Sequence, residues 1–450
     1  MSLPNSLRHG VAIAALLVGA QPAAAQEERS MSPALPKIMT VRDQASLRDA
    51  WLERRFQTVL PQLMRENGID MWVLIAREYL EDPVVSTMLN ATNLRARRRT
   101  IIIFFDPGDG KPIERLVVSK HGMGTLYQPV WDMATQPDQF ARVRELIAAR
   151  NPKKIALNIS SLTAFADGLT HSQYTDLTAA LTPEMRARIV PGYPLAIGWL
   201  ETRTPEEMKV YPDIVRIAHA IIGEGFSAAV VKPGVTTNED LVWWYRQRVA
   251  DLGLATWFHP SVEVTRRGVP GVLREQASVI EKGDMLRVDF GIQYLGFSTD
   301  TQHVAYVLRD GEKDAPAGMK AGLLDSNRVQ DAVTSEFRVG ATGNEVLNRA
   351  RAKAIAAGLK PTIYSHPIGY NGHGAGSSIG LSEEQTFVPT GEYKLRPNIA
   401  WSIELMATRA VPEWGGQIVD FKSEEDAFFD GKSVRYIDGR QTKFHLIGAR

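Results

Sequence analysis

The chain contains no cysteine in its 450 residues. Disulfides, thiolate metal ligands, thiol nucleophiles and a cysteine-borne lipid anchor are therefore excluded. An excess of charge is also lacking. Lys and Arg number 52 against 51 Asp and Glu, a formal net charge of +1, which gives no electrostatic case for nucleic acid or a membrane surface as partner. The one dense basic cluster, Arg95, Arg97, Arg98 and Arg99, precedes the apolar run TIIIFF; without an accompanying basic face it reads as a solvated or salt-bridged loop. No apolar run approaches the roughly 20 residues that span a bilayer. Internal repeats, low-complexity tracts, a Walker motif and a dinucleotide glycine motif are missing too. What is present, 44% hydrophobic and 23% charged residues, describes an ordinary globular chain with enough sequence for two or three domains.

The first 25 residues carry an address. Arg8 precedes the apolar run Val11 to Gly19, and Ala23, Ala24 and Ala25 supply an A-x-A cleavage site before QEERS, the pattern of a secretory signal peptide. The expected product is an exported protein, periplasmic or secreted, with no membrane attachment after cleavage near Ala25. From about residue 40 to 200, helical stretches such as WLERRFQTVLPQLMREN alternate with short apolar strands, MWVLIA, TIIIFF, ERLVVS and KIALNIS, the rhythm of an α/β domain. A boundary falls at LETRTPEEM, where Thr204, Pro205 and Glu207 have the spacing of a capping box. One long helix is predicted from there to about Val231. Beyond it, helices near 239–250, 325–337 and 343–357 stand among strands, a pattern that predicts α+β. Trp243 and Trp244 could line a groove, but aromatics on an amphipathic helix are expected in the core.

The chemistry concentrates in LRVDFGIQYLGFSTDTQHVAYVL. Two strands, Met285 to Ile292 and Thr299 to Leu308, are predicted to form a hairpin turning around Tyr294, Leu295 and Gly296. With the turn centred between Tyr294 and Leu295, Asp289 and Asp300 face each other with Cβ atoms roughly 5 Å apart, where like charges destabilise a sheet. A bound cation would remove that penalty. Other candidate donors follow: His366 and His373, seven residues apart in the Gly-rich YSHPIGYNGHGAGSSIGL; Glu404 in AWSIELMAT; and Glu424 with Glu425 in SEEDAFF. A carboxylate flanked by Ile403 and Leu405 needs a partner. Two aspartates, one histidine and two glutamates suit two divalent ions of intermediate hardness, Mn²⁺, Co²⁺, Fe²⁺ or Zn²⁺. Such a pair binds and acidifies one water and polarises a carbonyl, which is hydrolytic chemistry.

VDFGIQYLGFSTD, SHPIGYNGH, SIEL and SEEDAFF resemble, in order and spacing, the dinuclear pita-bread metallopeptidases, the family of aminopeptidase P, prolidase and methionine aminopeptidase. The resemblance implies an α+β chain with a C-terminal pita-bread (creatinase/aminopeptidase-like) catalytic domain over 204–450, preceded by a creatinase-like α/β domain over 40–200. It implies Asp289, Asp300, His366, Glu404 and Glu424 as metal ligands, Asp300 and Glu424 bridging, with Glu404 also the general base. His366 is preferred over His373 because a glycine three residues on and a second histidine seven on follow it, as in the family; His373 is then the substrate-side histidine. Glu424 is preferred over Glu425, which a one-residue slip would substitute. Two divalent ions, Mn²⁺ first among them, a small peptide substrate and a homodimer are further expectations of the likeness.

The sequence departs from the family around the substrate. The stretch Val264 to Glu275 contains no histidine, Thr362 stands four residues before His366 where histidine is usual, and Gln302 stands two after Asp300 where threonine is common. The leading expectation is an exported Xaa-Pro aminopeptidase or dipeptidase. The alternatives are a hydrolase of a non-peptide amide or amidine on the same fold, and a non-catalytic peptide-binding relative.

Overall fold

The apolar segments of the first half assemble into one sheet. In the computed structural model, which describes residues 33–273 and 277–448, strands β1 (Met71–Arg77), β2 (Arg99–Phe105), β3 (Glu114–Val118), β4 (Gln128–Pro129), β5 (Ile155–Leu157) and β6 (Ile189–Pro191) take the order β4-β3-β2-β1-β5-β6. The unbroken apolar runs of β1 and β2 suit strands covered on both faces. Accordingly Trp72, Leu74 and Ile102 join one core while Met71, Val73, Ile101 and Ile103 join another. The predicted signal peptide lies outside the described residues. No described helix is long and apolar enough to cross a membrane.

The boundary segment differs from the single long helix predicted. Thr204 and Glu207 do close a capping box, but around one short helix, Pro205–Met208, and a second helix runs Tyr211–Gly225. Pro212 explains the restart, since it has no N–H for the carbonyl of Met208. The two halves meet through buried contacts: Trp51 stacks on Phe297 at 5.5 Å, Arg55 pairs with Glu207 at 3.1 Å, and Arg203 lies 4.6 Å from the Tyr370 ring. Tyr370 belongs to the segment that follows His366, so the first half braces part of the site.

The second half carries β7 (Ser261–Thr265), β8 (Met285–Phe290), β9 (Gln293–Tyr294), β10 (Phe297–Ser298), β11 (Thr301–Val307), β12 (Pro361–Ile363), β13 (His366–Ile368), β14 (Ile399–Ser402), β15 (Leu405–Val411), β16 (Gln417–Ser423), β17 (Asp426–Phe429), β18 (Val434–Tyr436) and β19 (His445–Ile447). Its sheets run β19-β11-β8-β7, β12-β15-β16 and β13-β14-β17-β18, with the helices Tyr211–Gly225, Asn238–Asp251, Ala317–Thr334 and Gly343–Ala356 around them. This is the α+β arrangement expected.

The aspartate hairpin forms with a different register. Asp289 pairs with Gln302 rather than Asp300, because the two-residue turn is Leu295-Gly296, both at positive φ (56° and 86°), the type I′ geometry that matches strand twist. The pairing moves by two residues. An even shift keeps both aspartates on one face, as diagonal neighbours.

Candidate metal centre

Three strand pairs converge on the hairpin. Residues 399–411 and 417–429 run antiparallel in one register, Ser402 opposite Asp426 and Leu405 opposite Ser423, so Glu404 and Glu424 stand at facing positions. Both lie where the chain leaves one sheet for another, between β14 and β15 and between β16 and β17. Two like charges face each other there, where the ladder is interrupted. His366 pairs with Ser402, and Gln302 exchanges backbone hydrogen bonds with Glu424 at 3.1 and 3.3 Å, joining the hairpin to this crossing.

Five side chains thereby meet. Ligand atoms of Asp289, Asp300 and Glu424 lie within 4.8 Å of one another, as do those of His366, Glu404 and Glu424. His366 Nε2 is 3.6 Å from Glu424 Oε1 and 3.8 Å from Asp300 Oδ2. The His366 Nδ1–H donates to the Pro367 carbonyl at 3.0 Å, which leaves the Nε2 lone pair facing the carboxylates. Asp300 Oδ1 and His366 Nε2 are buried without any hydrogen-bond partner. Buried polar atoms are rarely left so, and two lone-pair donors in one acidic cluster suit a cation.

The charges have the same implication. Burial, then the neighbouring Glu424, Asp289 and Glu404, pushes the Asp300 carboxyl well above its usual range. Glu404 is raised by burial and Glu424, and Glu424 is pushed up to about 8 by burial and Asp289. Burial also lowers the pKa of His366, favouring the neutral, metal-ligating form. The donors present therefore fit divalent ions.

Residues 213–436 match the model of metallopeptidase family M24, a segment that holds all five donors and His373. The chain belongs to that family. Solved structures agree on the fold over most of the chain: the X-Pro aminopeptidase of Thermotoga maritima MSB8 (TM-score 0.58, 15% identity, 86% of this chain and 99% of that one), the Xaa-Pro dipeptidase of Bacillus anthracis (0.55, 17%, 91% and 100%) and the prolidase of Pyrococcus horikoshii OT3 (0.53, 13%, 86% and 99%). No curated protein matches the chain significantly.

In this M24 chain the remaining predicted residues fall as follows. Glu425 points away from the cage and accepts from His219 and His303 at 3.1 and 3.0 Å. Those two rings stack at 5.0 Å with planes 27° apart. Their Nε2 atoms therefore run side by side onto the two oxygens of Glu425, the fork of two N–H donors on a carboxylate, rather than converging on an ion. The His219 Nδ1 partner is Asp438 at 3.1 Å and that of His303 is His445 at 3.2 Å. His373 stands beside the cage, open to solvent on one side but with its ring packed 4.8 Å from His366 and 5.1 Å from Trp257. Glycine is required nearby, since a Cβ on Gly372 would lie 2.1 Å from the Trp257 ring.

A cavity of about 760 Å³ opens on Asp289, Gln302 and Glu404. Several of its walls were not legible in the sequence. Trp243, expected in the core, is 56% exposed and lines the cavity with His259, Thr362 and Tyr364. His259, too far upstream in sequence to stand in for the absent loop histidine, is brought there by the turn into β7. Arg287 donates to Asp289 Oδ2 at 3.1 Å and to Glu263, which Lys422 also holds. Burial alone would raise Glu263, but Arg287 and Lys422 outweigh it and hold its pKa near 2.

A pH prediction follows from Glu424. Its pKa rises from 4.5 to about 8 on folding of the metal-free protein, so the contribution it makes is full below pH 4.5 and is lost as pH rises through 8. Urea midpoints of chelator-treated protein are expected to fall between about pH 5 and 8, and Mn²⁺ is expected to abolish much of the fall. A midpoint flat across that range without metal would contradict the like-charge cluster.

Proposed function

We propose that the protein is an exported metallopeptidase that cleaves short peptides at Xaa-Pro bonds, with Mn²⁺ as the preferred ion and two ions in the cage. The observation that carries this reading is the pair of buried, partnerless atoms, Asp300 Oδ1 and His366 Nε2, in a carboxylate cluster whose Asp289 and Glu404 line a cavity of about 760 Å³. Divalent ions held there supply an activated water and polarise the scissile carbonyl. Asp289, Asp300, Glu404, Glu424 and His366 are the proposed ligands. Glu404, which borders the cavity, takes up the proton of the attacking water. His373, whose pKa burial and then His366 lower to about 4, is neutral near pH 7 and is proposed to hydrogen-bond the substrate. Export rests on the leader pattern in residues 1–25, and a homodimer on the family likeness.

Support for proline comes from the activities of the structural neighbours, X-Pro aminopeptidase, Xaa-Pro dipeptidase and prolidase. The test is turnover of a panel of Xaa-Pro and Xaa-Ala peptides by the mature protein with Mn²⁺ and with chelator. Chelator-sensitive cleavage restricted to the proline peptides is expected. Chelator-resistant turnover of a small amidine would favour the amidinohydrolase reading, and metal binding without turnover of any peptide would favour a binding module.

A further inference from the structure

Gln302 occupies a place in the cage that charge alone does not explain. It is 2% exposed, and its backbone is pinned to Glu424 by two hydrogen bonds of 3.1 and 3.3 Å, so only the side chain is free to move. That side chain places Nε2 2.8 Å from Glu404 Oε1 and 2.8 Å from Glu424 Oε2. A primary amide has two N–H donors on one nitrogen, and here each meets a different carboxylate. Glu404 and Glu424 stand at facing positions in an interrupted ladder, where, besides burial, Glu424 raises the pKa of Glu404 and Asp289 that of Glu424. Gln302 is the neutral group that holds these two acids together. Ser402 adds a donor to the other oxygen of Glu424 at 2.6 Å but does not reach Glu404. The same oxygens are among those a cation in the cage would draw on.

We propose that Gln302 is a positioning residue that holds Glu404 and Glu424 in the metal-free protein and competes with the entering cation for them, releasing at least one carboxylate when metal binds. This rests on the metal-binding reading of the site. The consequence has two opposite signs. Because the amide stabilises the metal-free state more than the loaded one, removing it lowers the stability of the first and strengthens metal binding by the same difference. A residue with a merely structural role would destabilise both states alike and leave the affinity unchanged.

The test is calorimetric titration of the full-length mature protein with Mn²⁺ at pH 8, wild type against Gln302→Leu, with thermal melts of both in chelator and in saturating Mn²⁺. The expected result is an affinity about tenfold higher in Gln302→Leu, the equivalent of roughly one charge-assisted hydrogen bond, and a melting temperature lowered in chelator but not in Mn²⁺. Equal loss of melting temperature in both conditions, or an unchanged or weaker affinity, overturns the proposal. Should Gln302→Leu fail to fold, a structure of the Mn²⁺-loaded wild type decides. One contact longer than hydrogen-bond distance supports the proposal, and both 2.8 Å contacts retained beside bound ions overturn it. If the wild type binds no Mn²⁺ at all, the metal reading fails with it; if it binds and Gln302→Leu binds no better, only the role of Gln302 fails.

Discussion

Asparagine in place of Asp300 is expected to leave the protein folded while removing its metal-dependent activity. Asp300 is 3% exposed, with Oδ1 partnerless and Oδ2 facing His366. Its carboxyl is raised by burial and by Glu424, Asp289, Glu404 and Asp426, so the ionised form is the costly one in the metal-free fold. Asparagine keeps the volume and removes one like charge from that group, and the stability of the metal-free variant is expected to equal or exceed that of wild type. The cation meets the opposite situation. An amide supplies one neutral oxygen where the carboxylate offers two charged ones between the donors of Asp289 and those of His366. Activity is expected to fall by more than the roughly 10–100-fold typical of groups that only support a metal ligand. Metal content after dialysis, urea unfolding in chelator and turnover of an Xaa-Pro peptide measure the three parts. Full activity with a full complement of metal would refute the role given to Asp300.

The part of this site readable in the sequence is the part set by side-chain type and spacing. The Asp289 and Asp300 pair, His366, Glu404 and Glu424 could be picked out because carboxylates amid apolar strands need a partner. The register could not be read. The sequence places the turn centre between Tyr294 and Leu295, but Leu295-Gly296 prevails because Gly296 takes φ 86° without strain while Leu295 bears the other positive φ. The error was harmless because it was even in residue count. The split of the predicted long helix has a local cause as well: Pro212 is a visible break inside an otherwise helical pattern. The walls of the cavity were hidden for a different reason. His259, Glu263, Arg287 and Lys422 come together only when β7, β8 and β16 are placed, and no local pattern marks an arginine two residues before an aspartate as its partner. In the sequence Gln302 stands out only as a departure from threonine, and its bridge between two glutamates depends on a strand crossing with no sequence signature.

The adjacent acids Glu424 and Glu425 allow the sharpest separation of the cage from the scaffold behind it. Period-two geometry sends neighbouring strand residues to opposite faces: Glu424 meets Gln302, Ser402 and His366, whereas Glu425 meets His219, His303 and the Gln441 N–H at 2.6 Å. Their pKa values move in opposite directions. Glu424 is pushed up to about 8 by burial and Asp289; for Glu425 burial works upward, but His303 and His219 outweigh it and hold the carboxyl near 2. A depressed value means stability that is present above the ordinary 4.5 and is lost as pH falls toward 2. Glu425→Gln is therefore expected to cost about 3 kcal/mol at pH 7, the order seen when one partner of a buried charged pair is removed, and the gap to wild type is expected to close below pH 3. Its metal affinity, measured under conditions where it is folded, is expected to stay within a few-fold of wild type. Glu424→Gln is expected to behave in the reverse way, with metal-free stability kept or raised because a crowded charge is gone, and with Mn²⁺ binding weakened by roughly 10²-fold or more, beyond the 10–100-fold typical of groups that only support a ligand. Urea unfolding of the two variants with and without Mn²⁺ reads both quantities at once. If Glu425→Gln lost its metal while keeping full stability, the chain would present the other glutamate to the cation, and the crossing of β16 into β17 would have to be shifted by one residue.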